Sequence, residues 1–213
     1  NGYYIYTSDM IDLVNAPQLF DYTQYNTGWK TQYFRNDTLM RIELPFYFRM
    51  GDIFTDKVFL NSNGIIAVQP DTLRYGSPTS LPAEAIHSSA FICAWEDFIQ
   101  SNNYGTTLED QPGNILTRFD ESNYRFIILY NKVRNIFIEE YSFAIAIDTS
   151  SVEVYFYDIP DSNYLVNGMQ FSDAQYLALT GDSFFDSRGL PVLRDSLAVR
   201  FSDELPVFTD KFT

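Results

Sequence analysis

The chain has 213 residues, 46% of them hydrophobic and 17% aromatic, with 28 Asp and Glu against 14 Lys and Arg and a formal net charge of −14 at pH 7. That acidity excludes a nucleic-acid partner, because phosphate binding needs clustered cations. One His and one Cys supply neither a zinc site of the usual N/S type nor an internal disulfide.

Apolar residues are plentiful enough to offset the entropy of ordering, so a folded protein is expected, and their spacing is almost everywhere that of strands. Gly2-Tyr3-Tyr4-Ile5-Tyr6 is apolar and strand-prone, with no guarding charge. In residues 41–49, Ile42, Leu44, Phe46 and Phe48 share one parity, and Arg41, Glu43, Tyr47 and Arg49 take the other. That pattern predicts a strand with one core face and one wet face. Residues 57–60 and 65–69 flank Asn61-Ser62-Asn63-Gly64, a tight hairpin whose Asn-Gly pair tolerates positive φ. Residues 82–87 have the makings of one helical turn. The nearly continuous apolar runs 90–95, 125–130 and 143–147 suit strands buried on both faces.

Residues 141–147 and 152–157 flank Asp148-Thr149-Ser150-Ser151 as a second hairpin, with Val152, Val154 and Phe156 inward and Glu153, Tyr155 and Tyr157 outward. Asn167-Gly168 reads as a turn, and residues 172–179 as a short helix or a strand. Leu197, Val199 and Phe201 alternate with Ala198 and Arg200, and Leu205-Pro206-Val207-Phe208 is a second apolar end segment. Short strands, frequent turns and few or no helices predict an all-β fold, an antiparallel two-sheet β-sandwich. Without repeat, low-complexity tract or linker, residues 1–213 are expected to form one domain.

No apolar run approaches the ~18 residues that span a bilayer, so no membrane span is expected. The sequence opens at Asn1 with no signal peptide, which reads as a processed or excised segment. Asp outnumbers Glu by 19 to 9 and Arg outnumbers Lys by 10 to 4. Together with many Asn, Ser and Thr, this points to an exported, extracellular or cell-surface protein.

An ordered set of motifs occupies residues 40–172. Leu44-Pro45-Phe46-Tyr47-Phe48 is followed by Val58-Phe59-Leu60-Asn61-Ser62-Asn63-Gly64-Ile65-Ile66 and by Ala90-Phe91-Ile92-Cys93-Ala94-Trp95-Glu96-Asp97-Phe98. Then come Arg125-Phe126-Ile127-Ile128-Leu129-Tyr130, the hairpin at 141–157, and Val166-Asn167-Gly168-Met169-Gln170. This order resembles the extracellular β-sandwich of nidogen-type (NIDO-like) domains and related surface-protein modules of Bacteroidota. It departs from them at Ile92-Cys93-Ala94-Trp95, where the family has a Pro before an aromatic-Trp pair, and the first 40 residues match nothing in it. The resemblance implies an adhesion or structural module and supplies no catalytic residue.

Each chemical constellation has a simpler reading. Trp95-Glu96-Asp97 places two carboxylates beside a Trp, but neighbours on a strand point to opposite faces, so they cannot flank one sugar as a glycosidase pair does. A strand-end turn is preferred. His87 beside Ser88 and Ser89 is not a triad, which converges from separate segments, and Cys93 shares the face of Phe91 and Trp95 as a small core residue. Calcium is the cation whose ligand types the acidic turns carry, at Asp158 and Asp161 with Asn163 and at Asp182 with Asp186. Neither stretch has EF-hand or nonapeptide spacing, so solvated turns are preferred and no cofactor is expected. Asn36-Asp37-Thr38 is a formal glycosylation sequon.

The segments with no place in a core are the two apolar ends. Tyr3, Tyr4, Ile5 and Tyr6, with Val207 and Phe208, are the candidate interaction residues, because exposed apolar strands invite strand addition from another chain. The expected function is a non-enzymatic extracellular structural or adhesive module, self-associating into a surface layer or filament through strand edges and these segments. Its partner is another copy or another surface protein. The alternative is a carbohydrate-binding module that stacks glycans on exposed Trp29 or Tyr residues; a glycoside hydrolase ranks third.

Overall fold

The structure, a computed structural model, describes residues 3–10, 13–33, 38–50, 52–70, 81, 89–100, 107–108, 112–160, 165–172, 175–179, 192–205 and 207–208. His87, Asn36, Asp161, Asn163, Asp182, Asp186 and the expected helical turn at 82–87 lie outside them. Among the described residues the strands run β1 (Tyr4–Thr7), β2 (Lys30–Gln32), β3 (Leu39–Met50), β4 (Ile53–Asn61), β5 (Ile65–Ala67), β6 (Ala90–Trp95) and β7 (Phe98–Ile99). They continue as β8 (Asn114–Asp120), β9 (Arg125–Asn135), β10 (Glu140–Ile147), β11 (Ser151–Asp158), β12 (Val166–Ser172), β13 (Gln175–Ala178) and β14 (Ala198–Ser202). A 3-10 turn, Tyr22–Gln24, starts where the Asp21 side chain accepts the Thr23 N–H. No helix among the described residues is long and apolar enough to cross a membrane.

All strand pairings described are antiparallel, and they make two sheets. The larger has the order β1-β14-β11-β10-β9-β8-β2, with β7 joined to β9, and the smaller the order β13-β12-β6-β5-β4-β3. The period-2 pattern decides what lies between them. Ile42, Leu44, Phe46, Phe48 and Met50 of β3 face Val152, Val154 and Phe156 of β11 and Val199 and Phe201 of β14 across one buried core. Each large side chain so removed from water contributes roughly 1.5–3 kcal/mol before entropy is counted. At one end Tyr130 and Phe143 stack with centroids 4.2 Å apart, and Phe98 packs on both and on Tyr141.

Both predicted hairpins form. Gly64 takes φ +82°, and a Cβ there would collide with the Ala94 carbonyl, so the close approach of β6 to the turn requires glycine. Asn61, Ser62 and Asn63 are buried, which is unusual for a turn, and most of their polar groups find partners in the fold, the Asn61 amide nitrogen excepted. The Asn63 N–H is donated to Asn61 Oδ1 at 2.6 Å, the Phe98 N–H to Asn63 Oδ1 at 3.2 Å, and the Tyr130 hydroxyl to the Asn61 carbonyl at 2.8 Å. That last bond ties the larger sheet to the smaller. In the second hairpin Asp148 Oδ1 accepts the N–H groups of Ser150 and Ser151, each at 2.7 Å.

Four expectations are corrected or completed. The outward face of β11 is not wet: Tyr155 is buried beneath Phe20 in a second core that includes Leu116, Ile127, Leu129, Ala144 and Ala198. Residues 16–29 lie across this outer face, with the Tyr157 hydroxyl donating to the Phe20 carbonyl at 2.6 Å and the Arg125 guanidinium 3.9 Å over the Phe20 ring. Trp95 does not share the face of Cys93. The N–H groups of Cys93 and Ala94 are both donated to the Gly64 carbonyl, a bulge that advances the chain by one residue and turns Trp95 into a separate cluster with Ile92 and Val166. Asn167-Gly168 is the interior of β12, where Gly168 admits the Leu177 carbonyl of β13. Residues 175–178 are strand, not helix.

Candidate interaction surfaces

The two apolar ends meet each other. β1 pairs with β14, Tyr4 opposite Ser202 and Thr7 opposite Val199, and Leu13 bridges Phe208. The Val14 N–H is donated to the Val207 carbonyl at 2.6 Å, and the Val207 N–H to Asn15 Oδ1 at 3.2 Å. The candidate residues separate accordingly. Tyr6 is buried, with its hydroxyl donated to the Glu204 carbonyl, and burial pushes its pKa up. Tyr3, Tyr4 and Ile5 are half-buried, Tyr3 packing on Phe171 and Phe91. Val207 and Phe208 remain 50% and 64% exposed beside Val14 and Leu205, which are exposed to a similar degree. The strand pairing that covers the first end segment therefore leaves Val207 and Phe208 exposed, on the same paired ends as exposed Leu205 and as Val14, which the sequence did not mark.

The carboxylates examined as catalytic groups serve the strand-end turn. Trp95 and Glu96 are both buried, and Glu96 Oε1 accepts the Asp97 N–H at 2.9 Å. Burial raises the Glu96 pKa, the Asp97 and Glu139 charges add to the rise, and the Asp97 N–H partly opposes it. Glu139 Oε2 in turn accepts from Asn135 Nδ2 at 2.8 Å and from the Tyr141 hydroxyl at 3.1 Å. Cys93 is fully buried and burial pushes its thiol pKa well up, so it is an inert core side chain. Of the calcium candidates, Asp158 is exposed at the end of β11. Among the described residues no three His, Cys, Asp or Glu are grouped to hold a metal.

The charged groups on the outer face of the larger sheet form a network that holds residues 16–29 in place. Arg200 pairs with Glu153 and lends its Nη1 to the Asn15 carbonyl at 3.3 Å; Tyr155 donates to the other Glu153 oxygen. Arg125 pairs with Asp120 at 3.1 Å. Burial acts to raise the Asp120 pKa, but hydrogen bonds from Asn123, Tyr25 and Arg125 together outweigh it and hold the carboxyl below its ordinary range. Trp29, considered for glycan stacking, is half-buried in this layer with its indole N–H donated to the Tyr25 carbonyl at 2.5 Å.

Two surface features escaped the sequence reading. The β9–β10 turn presents Ile136, Phe137 and Ile138 to solvent, the last two 73% exposed. Its shape is imposed by buried Asn135, whose Oδ1 accepts the N–H groups of Phe137 and Glu139, both at 3.0 Å. The available signal was three apolar residues lodged between a turn-forming Asn and two Glu. At the other end of the sheet, exposed Tyr47 stacks on exposed Phe54 (5.2 Å, 8° between planes), and Tyr124 is exposed in the β8–β9 turn. Comparison of the chain with protein-family models, with curated proteins and with solved structures returned no match.

Proposed function

We propose that the protein is a non-enzymatic, extracellular structural or adhesive module that associates with further copies of itself through its end segments. The observation that carries this reading is the apolar surface of Val14, Leu205, Val207 and Phe208, four large side chains exposed on two end segments that backbone hydrogen bonds hold together. Such patches on a soluble surface mark contact sites. The edge strands support the same place. β3 is guarded by Pro45 and by Arg41, Glu43 and Arg49, and β2 by Lys30, whereas β1 and β13 carry neither proline nor charge. Of those two, β1 continues toward the patch. The ordered motifs at 40–172 and the Asp-rich surface support an exported module of the nidogen type.

Removing residues 1–8 would strip β1 from β14 and uncover the core, so substitution is the sharper test. Light scattering and negative-stain microscopy of the full chain are expected to show ordered multimers that vanish in a Val207→Asp, Phe208→Asp variant whose melting temperature is unchanged. Multimers of equal size in the variant would refute the proposal.

A further inference from the structure

A second surface, remote in the sequence from the patch just described and independent of self-association, has the chemistry of a ligand site. Between Glu43 and Phe48 the register of β3 against β4 breaks: Leu44, Pro45, Phe46 and Tyr47 lie opposite the single residue Asp56. The surplus backbone bulges, and with the β8–β9 and β10–β11 turns it encloses an open groove of about 530 Å³ lined by Leu44, Pro45, Phe46, Tyr47, Asp56, Tyr124 and Thr149. Leu44 and Phe46 form its buried floor, while Pro45, Tyr47, Asp56, Tyr124 and Thr149 are exposed.

Both rings are positioned rather than merely exposed. Phe54 backs the Tyr47 ring in a near-parallel stack. Tyr124 packs against Phe46 and Phe119 at centroid distances of 5.5 and 5.7 Å. It is held at φ +51°, a conformation that a bulky side chain rarely adopts. The hold comes from buried Asp120, which accepts from both the backbone and the side chain of Asn123 at 3.3 and 2.8 Å. Backbone strain maintained to present one side chain is characteristic of binding sites. Among the described residues none hydrogen-bonds the Tyr47 or Tyr124 hydroxyl or the Asp56 carboxylate, so these polar atoms are available to a ligand.

We propose that this groove binds neutral carbohydrate. Two aromatic faces carry the negative side of the ring quadrupole and attract the slightly positive C–H face of a sugar ring. The Asp56 carboxylate accepts from two neighbouring hydroxyls, and the Thr149 and Tyr hydroxyls both donate and accept. A few polar groups among aromatic walls is the usual make-up of a small-ligand site. A purely apolar partner would leave Asp56 desolvated and unpaired. An anionic glycan would meet Asp56 on a chain of net charge −14, which leaves a neutral one.

Affinity electrophoresis of the full chain tests this in gels containing mixed-linkage β-glucan, xylan, galactomannan or dextran, with polygalacturonate as the anionic probe. Retardation by at least one neutral polymer and none by polygalacturonate is expected. Tyr47→Ala and Tyr124→Gly should each weaken the retarding interaction about ten-fold or more, and Asp56→Asn should weaken it too. Glycine suits the Tyr124 backbone, so relief of that strain offsets part of the packing lost against Phe46 and Phe119 and the variant should still unfold cooperatively, and Phe137→Ala at the opposite turn should bind as the parent does. No retardation by any neutral polymer, retardation by polygalacturonate alone, or unweakened binding in either ring variant would overturn the proposal.

Discussion

At Glu96 the physics of a single carboxyl group can be read out with pH. Burial raises its pKa, and the charges of Asp97 and Glu139 raise it further. Its folded pKa thus lies above its unfolded one, so proton binding favours the fold. The group's contribution is complete below the unfolded value and is lost as pH rises through the folded value. Glu96→Gln, which can still accept the Asp97 N–H, is therefore expected to melt higher than the parent at about pH 8, with the difference vanishing near pH 4. Melting scans across that range check this, and a pH-independent difference would contradict it. Ile138 offers a second residue-scale test. A β-branched residue at φ +67° carries strain of about 1–3 kcal/mol, while glycine costs about 0.5–1 kcal/mol in backbone entropy. Strain is the larger quantity, so Ile138→Gly should raise unfolding stability by about 1 kcal/mol in urea titration. Neither effect was legible in the sequence: Glu96 is perturbed by its burial and by the charge of Glu139 in the distant β9–β10 turn, and the φ of Ile138 is set by the side chain of Asn135 acting across the turn.

At the scale of elements, legibility followed period. The alternation in β3 and the two hairpins were readable because side-chain parity and turn chemistry are local. The bulge at Cys93–Ala94 was not, since it is created by one carbonyl, that of Gly64, accepting two successive N–H groups from another strand. Asn167-Gly168 misled for a related reason: a glycine marks either a turn or a close backbone approach, and only the partner strand distinguishes them. The hairpin glycine is the converse case, and Gly64→Ala should cost about 3 kcal/mol, from the left-handed backbone and the Ala94 carbonyl together. The layer at 16–29 was invisible because Phe20, Tyr22, Tyr25 and Trp29 do not alternate as the residues of a strand do, and apart from the Tyr22–Gln24 turn they form no regular element. Phe20→Ala, which uncovers Tyr155 and removes the ring beneath Arg125, should also cost about 3 kcal/mol. Chemical denaturation measures both, and a loss below about 1 kcal/mol in the latter would show that this layer adds little to the fold.

For the whole molecule, charge and apolar surface oppose one another. A net charge of −14 repels like copies over roughly 8–10 Å at ordinary ionic strength, whereas the patch of Val14, Leu205, Val207 and Phe208 attracts at contact. The sequence marked both end segments as the place to look; of the residues it named, Tyr6 is buried, whereas Val207 and Phe208 are exposed. Screening should therefore promote assembly, and added salt distinguishes apolar contact from ionic contact, which it would weaken. Sedimentation velocity of the full chain over a hundred-fold concentration range, at low and at high sodium chloride, tests the central claim most directly. The account predicts a monomer that gives way to larger species as concentration and salt rise, with the Val207→Asp, Phe208→Asp variant monomeric throughout. A parent chain that stays monomeric at every concentration and salt level would contradict it.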